Sequence, residues 1–154
     1  GMDTVIRLAQ TSGRYFTSVG KRLSYHNHGF EFTRDVENGQ TRLEYLMEHT
    51  TPEELVFTMD TYWVHWGGGE VTDWIDRLSG RIPCVHLKDM VACGQKEQHM
   101  APVGSGNLPW QKILPALEQA GVRYALVEQD DCYGEDPFAC LEKSYRFLQA
   151  QGLK

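Results

Sequence analysis

The sequence has no long hydrophobic run. Its unbroken apolar stretches span only a few residues, far short of the ~20 that a membrane helix needs. It has no block of five or more basic residues, and 21 acidic side chains outnumber 15 basic ones for a net charge of -6. That balance counts against a non-specific nucleic-acid binder and against an anionic-membrane binder. A small phosphorylated ligand, which needs one or two local cations, stays open. The four cysteines, Cys84, Cys93, Cys132 and Cys140, contain no C-x-x-C pair, so zinc-knuckle and thioredoxin readings fail. The first twenty residues carry Asp3, Arg7 and Arg14 and no continuous apolar core, so no secretory signal is read there. The expectation is a cytoplasmic chain with four free thiols. Cys84, in an apolar stretch, is expected to be a buried small hydrophobe. Gly1 ahead of Met2 reads as a tag remnant and is set aside.

What is present is ordinary globular material. The 154 residues are 41% hydrophobic and 23% charged, which suits one domain over residues 1–154 with a real core. Apolar runs alternate with amphipathic stretches. Residues 3–19 read as a helix stopped by Gly20, and residues 22–28 as a strand. Leu43, Leu46 and Met47 fall at helical spacing. Residues 55–60, LVFTMD, read as a strand. Val71, Trp74, Ile75 and Leu78 predict a helix ended by Gly80, and residues 82–87 a further strand. Residues 90–107 lack periodicity and hold three glycines, which predicts a long loop. Pro109 opens a helix carrying Ile113, Leu114 and Leu117, and Gly121 stops it. Residues 124–128, YALVE, give the fourth strand. Asp136-Pro137 starts a last helix with Leu141, Tyr145 and Leu148 on one face. Four strands and five helices in strict alternation imply an α/β fold with a parallel sheet.

Each strand ends in polar groups: Tyr25-His26-Asn27-His28, then Asp60, then His86-Leu87-Lys88-Asp89, then Glu128-Gln129-Asp130. Parallel α/β sheets bind ligands at the carboxyl ends of their strands. One strand-end histidine or acid is usually a hydrogen-bonded structural residue. Four at one level are a candidate metal set: His26, Asp60, His86 and Glu128. Mixed imidazole and carboxylate donors suit Mn, Fe, Co or Zn better than Mg or Ca. One such divalent ion would act as a Lewis acid on a carbonyl and a neighbouring hydroxyl, and an ionised carboxylate beside it would move a proton.

Other residues carry two readings. His28, two residues past His26, is a substrate contact or a supporting partner. Lys88, two past His86, holds an oxyanion or phosphate, or else pairs with Asp89 or Asp60. Trp63 and Trp66 sit in a stretch of aromatics and glycines. They suit the apolar face of a sugar ring, or simply pack. Glu31 reads as structural, and His49 and His99 as ordinary surface residues. The glycines of Pro102-Val103-Gly104-Ser105-Gly106-Asn107 allow close backbone approach to a ligand, but they lack the context of a dinucleotide site.

The stretches LSYHNHGFEF (23–32), FTMDTYWVHWGGG (57–69), RIPCVHLKDM (81–90), APVGSGNLPW (101–110) and LVEQDDCYGEDPF (126–138) resemble the sugar phosphate isomerase/epimerase family, the xylose isomerase-like TIM barrels related to family-2 AP endonucleases. The resemblance covers nearly the whole chain. It implies a (β/α)8 barrel with a divalent metal held by the fifth to eighth strands, on positions that fall on His26, Asp60, His86 and Glu128. It implies a metal-dependent sugar isomerase or epimerase working through an enediolate, with Glu128 as general base and His28 and Lys88 as catalytic or substrate contacts. Family members often carry Glu where His26 stands. A histidine there looks more like the inosose dehydratase branch, so a dehydratase or lyase of a keto-sugar or keto-cyclitol is the alternative.

Length conflicts with that resemblance. A complete barrel needs ~200–250 residues, and this chain supplies four strands of eight, beginning at what would be the fourth helix. A half barrel exposes two sheet edges and half of an apolar interior. The expected partners are therefore a small carbohydrate and a covering half, a second copy or another half-barrel, the alternative being that the chain is a fragment of a longer gene's product. A non-catalytic metal-binding subunit is the remaining reading.

Overall fold

The computed structural model describes residues 1–35 and 39–153. In chain order the elements are α1 (Met2–Ser18), β1 (Ser24–His26), a 3-10 turn (Gly29–Phe32), α2 (Arg42–Glu48), β2 (Val56–Asp60), α3 (Thr61–Trp66), α4 (Val71–Arg77), β3 (Cys84–Leu87), β4 (Asp89–Cys93), β5 (Glu97–Ala101), α5 (Trp110–Gln119), β6 (Tyr124–Val127) and α6 (Pro137–Ala150). The four expected strands form one sheet in the order β1-β2-β3-β6, and every pair is parallel.

Register assigns the two faces. Ser24 pairs with Val56 and His26 with Thr58. Asp60 pairs with His86 and Thr58 with Cys84, and Cys84 pairs with Tyr124. These residues share one face. The alternate residues Phe57, Met59, Val85 and Leu87 are almost fully buried on the other. There they join Leu43, Leu46, Ile75, Leu78 and Ile113 from the helices in a single core. Each such side chain contributes about 1.5–3 kcal/mol of burial.

Local chemistry starts the helices. Thr41 caps α2: its hydroxyl accepts from Glu44 N at 3.1 Å, while Glu44 accepts from Thr41 N at 2.7 Å, a reciprocal capping box. Asp136 accepts from Phe138 N, and Pro137 occupies the first turn of α6.

The structure corrects several expectations. Residues 90–107 are not one loop, because β4 and β5 form an antiparallel hairpin. The hairpin is a separate two-stranded sheet and is partly solvated along both strands, so no hydrophobic alternation marks it. A short helix, α3, follows β2 directly, which brings the α-helices to six among the described residues. The buried face of α6 is Cys140, Ser144 and Leu148, whereas Leu141 and Tyr145 are exposed. Ser144 explains this: its hydroxyl accepts from Val103 N at 2.9 Å and anchors α6 over the loop after β5. In α1 the inward residues are Ile6, Ala9 and Gly13. A β-carbon at Gly13 would collide with the backbone of Glu54, so small residues set that approach. Cys84 is half-buried on the open face, and burial raises its thiol pKa.

The open face is also more polar than expected. It carries Ser24, Thr58, Cys84, His26 and His86, and the Ser24 and Thr58 hydroxyls meet at 2.7 Å. β1 and β6 are the sheet edges. Tyr124 and Leu126 of β6 are 65% and 54% exposed. Beside this edge a cavity of about 990 Å³ opens between β6, α5 and α6, lined by Ala125, Val127, Leu114, Leu117, Leu141 and Tyr145.

Candidate metal centre

Asp60 is where a strand becomes a helix, and both of its roles follow from that. Its Oδ1 caps α3 by accepting from Trp63 N at 3.1 Å. Its own N–H is held by Asn27 Oδ1 at 3.0 Å. The side chain is fully buried and its Oδ2 is left facing the open side of the sheet, 3.1 Å from His26 Nε2 and 3.9 Å from His86 Nδ1. Glu128, just past β6, places Oε2 3.0 Å from His86 Nδ1. The His26 and His86 rings lie 4.5 Å apart, centroid to centroid.

One ligand atom from each of His26, Asp60, His86 and Glu128 thus falls within 4.8 Å of the others. Atoms bonded to one ion at ~2.0–2.2 Å lie at most about 4.4 Å apart. Four tetrahedral donors at that distance lie about 3.3–3.6 Å apart, so the widest pair has to close by about an ångström, a side-chain adjustment within which the donor set fits a divalent metal. Two imidazoles and two carboxylates are also the donor chemistry of transition metals rather than of Ca or Mg.

Lys88 lies inside this group. It is 2% exposed, with Nζ 3.2 Å from Asp60 and 2.6 Å from Glu128. Its third partner is Asp130, which accepts through both oxygens at 2.9 Å. Burial opposes the ammonium charge, but Glu128, Asp60 and Asp130 outweigh it and hold the pKa above the ordinary lysine value. Burial likewise opposes the Glu128 carboxylate, and Lys88 with His86 brings its pKa below the usual range. The ion pair with Asp60 is one of those foreseen; the one with Asp89 does not form. Asp130 is the residue the sequence reading missed as a partner. Its place in the strand-end triplet Glu128-Gln129-Asp130 was the available signal.

Asp89 does something else. Its buried carboxylate accepts from Met90 N, Gly104 N, Gly106 N, Leu108 N and Trp110 Nε1, at 2.7–3.2 Å. A β-carbon at Gly106 would strike Asp89 Oδ1 and Met90 O. The glycines of residues 102–107 do permit a close approach, but what approaches is the protein's own carboxylate.

The aromatic residues separate. The His28 ring is 4.7 Å from His26 and 5.6 Å from Trp63, and Lys88 Nζ is 6.0 Å from the Trp63 ring centroid. Trp63 therefore borders the cluster, and its buried indole N–H has no partner among the described residues. Trp66 stands behind Trp63, edge-on at 5.8 Å, and is half exposed against Gly29. Glu31 is structural: it accepts from Tyr25 OH at 2.6 Å and from His28 N at 2.8 Å. Burial and that carboxylate push the Tyr25 pKa up. His99 stacks on Tyr133 at 3.9 Å and is not one of the four ligands.

A parallel sheet wrapped by helices, with imidazoles and carboxylates gathered at its strand ends, defines half of a TIM-barrel scaffold. The chain belongs to the xylose isomerase-like TIM barrel family, whose model matches residues 1–151. Among solved structures it is similar to a sugar phosphate isomerase/epimerase from Parabacteroides distasonis ATCC 8503, with 26% identity and a TM-score of 0.81 over 97% of this chain and 52% of that one. A second sugar phosphate isomerase/epimerase from the same organism is 22% identical with a TM-score of 0.79, over 96% of this chain and 53% of that one. The probable 3-DHS dehydratase AsbF from Bacillus anthracis shares the fold at 13% identity and a TM-score of 0.68, over 94% of this chain and 55% of that one. The chain therefore spans about half the length of the solved structures it matches. No curated protein matches it. Among the described residues no helix is long and apolar enough to cross a membrane.

Proposed function

We propose that this chain is the metal-holding half of a sugar isomerase or epimerase. The observation that carries the reading is the convergence of His26, Asp60, His86 and Glu128 at four adjacent strand ends. A divalent ion held there, Mn, Co, Zn or Fe, would supply Lewis-acid polarisation of a sugar carbonyl and its neighbouring hydroxyl.

The rest is done by the chain's own side chains. Glu128 is the general base that takes the proton from the carbon beside the carbonyl; Lys88 and His86 lower its pKa, so it is ionised, as a base must be, at some cost in basicity. Returning that proton to the adjacent carbon gives isomerisation through an enediolate, whereas epimerisation needs a second group to deliver a proton to the opposite face. Lys88 stabilises the developing oxyanion and His28 contacts a substrate hydroxyl. Trp63 offers its ring to the apolar face of the sugar, with Trp66 as backing.

A second reading rests on His26. Asp60 is tied to α3 by one oxygen, so Glu128 is the carboxylate of the set free to act as a base. Two-base epimerisation then lacks its second carboxylate. One carboxylate base with an imidazole donor at His28 suits loss of water next to a ketone, as in a dehydratase.

Two sheet edges unpaired among the described residues and the cavity beside β6 support closure by a second half-barrel, either another copy or a separate half. The proposed ligand is a small carbohydrate, not nucleic acid or membrane.

Three measurements test this. Elemental analysis of chelator-free protein is expected to give about one divalent ion per chain, and no affinity for Mn or Co overturns the site. A ketosugar panel separates the reactions, since only the dehydratase yields an unsaturated product. Metal binding without turnover, in any assembly, leaves a non-catalytic metal-binding subunit. Molecular mass in solution reports the closure.

A further inference from the structure

Lys88 poses a problem for the metal reading, on which this inference rests. Its ammonium touches two of the four ligands, Asp60 at 3.2 Å and Glu128 at 2.6 Å. A divalent cation bound to those same oxygens would repel it at close range, in a setting where Lys88 is 2% exposed and has little solvent to retreat to. A buried ammonium stripped of its carboxylates is strongly unfavourable. Without a further partner, lysine and metal would compete for one pair of acids.

We infer that Asp130 is the positioning residue that lets Lys88 and a metal ion occupy this site together. Asp130 stands outside the four-ligand set, yet it grips Nζ with both oxygens at 2.9 Å. Its backbone N–H, 3.2 Å from Met100 Sδ, ties it to the β4–β5 hairpin. When Asp60 and Glu128 turn to a metal, Asp130 still neutralises Lys88 and keeps the ammonium beside the metal. Lys88 then remains available to a substrate oxygen. Asp130 acts through Lys88 and is not assigned a bond to the metal.

The test is a double-mutant cycle on the full chain, read by calorimetric titration with Mn(II), with circular dichroism to confirm folding. Asp130→Asn is expected to weaken Mn(II) binding about tenfold, the size of effect seen when a supporting partner of a metal site is lost. Lys88→Met alone is expected to bind at least as tightly as the natural chain. In the Lys88→Met background, Asp130→Asn is expected to change affinity less than about twofold, because nothing is left for Asp130 to hold. Asp130→Glu is expected to restore most of the affinity. Asp130→Ser replaces the Asn variant if that one does not fold.

Equal affinity in the natural chain and Asp130→Asn overturns the inference and leaves the metal site standing. A tenfold loss that persists in the Lys88→Met background also overturns it, since Asp130 would then act on the metal directly. No Mn(II) binding by the natural chain overturns the metal reading and this inference with it.

Discussion

Lys88 and Asp89 are neighbours in the chain at the junction of β3 and β4, and they anchor two opposite kinds of charged centre. Asp89 is a buried anion met by five N–H donors, four from backbone and one from Trp110. Every part of its carboxylate is used. Around Lys88 the balance is reversed: Asp60, Glu128 and Asp130 share one ammonium, with two imidazoles alongside. A saturated buried anion fixes architecture, here the loop of residues 104–110 against the hairpin. A set of carboxylates short of donors has room for a cation. The contrast separates a structural carboxylate from candidate ligands within one HLKD motif.

Breaking the saturated centre is expected to have the largest effect on stability. Asp89→Ala strands five donors, three of them backbone N–H groups of the following loop, and is expected to cost about 3 kcal/mol or more in denaturant unfolding. A loss below about 1 kcal/mol would show that Asp89 is not the anchor. Gly106→Ala keeps the anion but drives a methyl group into Asp89 and the Met90 carbonyl. The expected cost is about 1–3 kcal/mol, as for other overpacking changes.

The other centre is expected to answer differently. His86→Ala should abolish Mn(II) affinity in calorimetry while changing metal-free stability by less than about 1 kcal/mol, because Glu128 keeps its ion pair with Lys88 and Asp60 keeps His26 and Lys88. The natural chain should gain about 2.7 kcal/mol of stability at Mn(II) a hundredfold above the dissociation constant, and the variant should gain none. Equal costs for Asp89→Ala and His86→Ala in metal-free protein would erase the distinction.

How far these centres were legible in the sequence follows from what each depends on. Buried parallel strands are continuous apolar runs that stop at their carboxyl ends, so His26, Asp60, His86 and Glu128 were visible as one level. The β4–β5 hairpin was not, because strands solvated along both sides impose no alternation. α3 is a single short helix written in aromatics ahead of three glycines, and its cap, Asp60, resembles any strand-end acid. The Asp89 centre depends on donors 15 to 21 residues away, which no spacing rule joins. Apolar spacing misplaces the α6 face because Ser144, a polar residue, turns inward to meet Val103, while the apolar Leu141 and Tyr145 are exposed.

The smallest expected effect is on pH dependence, and it concerns the under-donated centre alone. The Glu128 pKa is lowered from its ordinary 4.5: burial opposes this, and Lys88 and His86 outweigh it. The carboxylate is therefore ionised in the folded chain before it is in the unfolded one. Its contribution to stability is complete above pH 4.5 and is lost as the pH falls through the lower folded value. The Lys88 pKa is raised from 10.5, so its contribution is complete below 10.5 and disappears only as the pH rises through the still higher folded value. In metal-free protein Glu128→Gln is expected to flatten the acid limb of the stability profile and to shrink the alkaline one. The Glu128 side chain is 43% exposed, so solvent screening limits the acid effect to about 1 kcal/mol or less. An acid limb that Glu128→Gln leaves unchanged would mean that the ion pair with Lys88 adds nothing to folding, and that the two groups are held together by the strand ends alone.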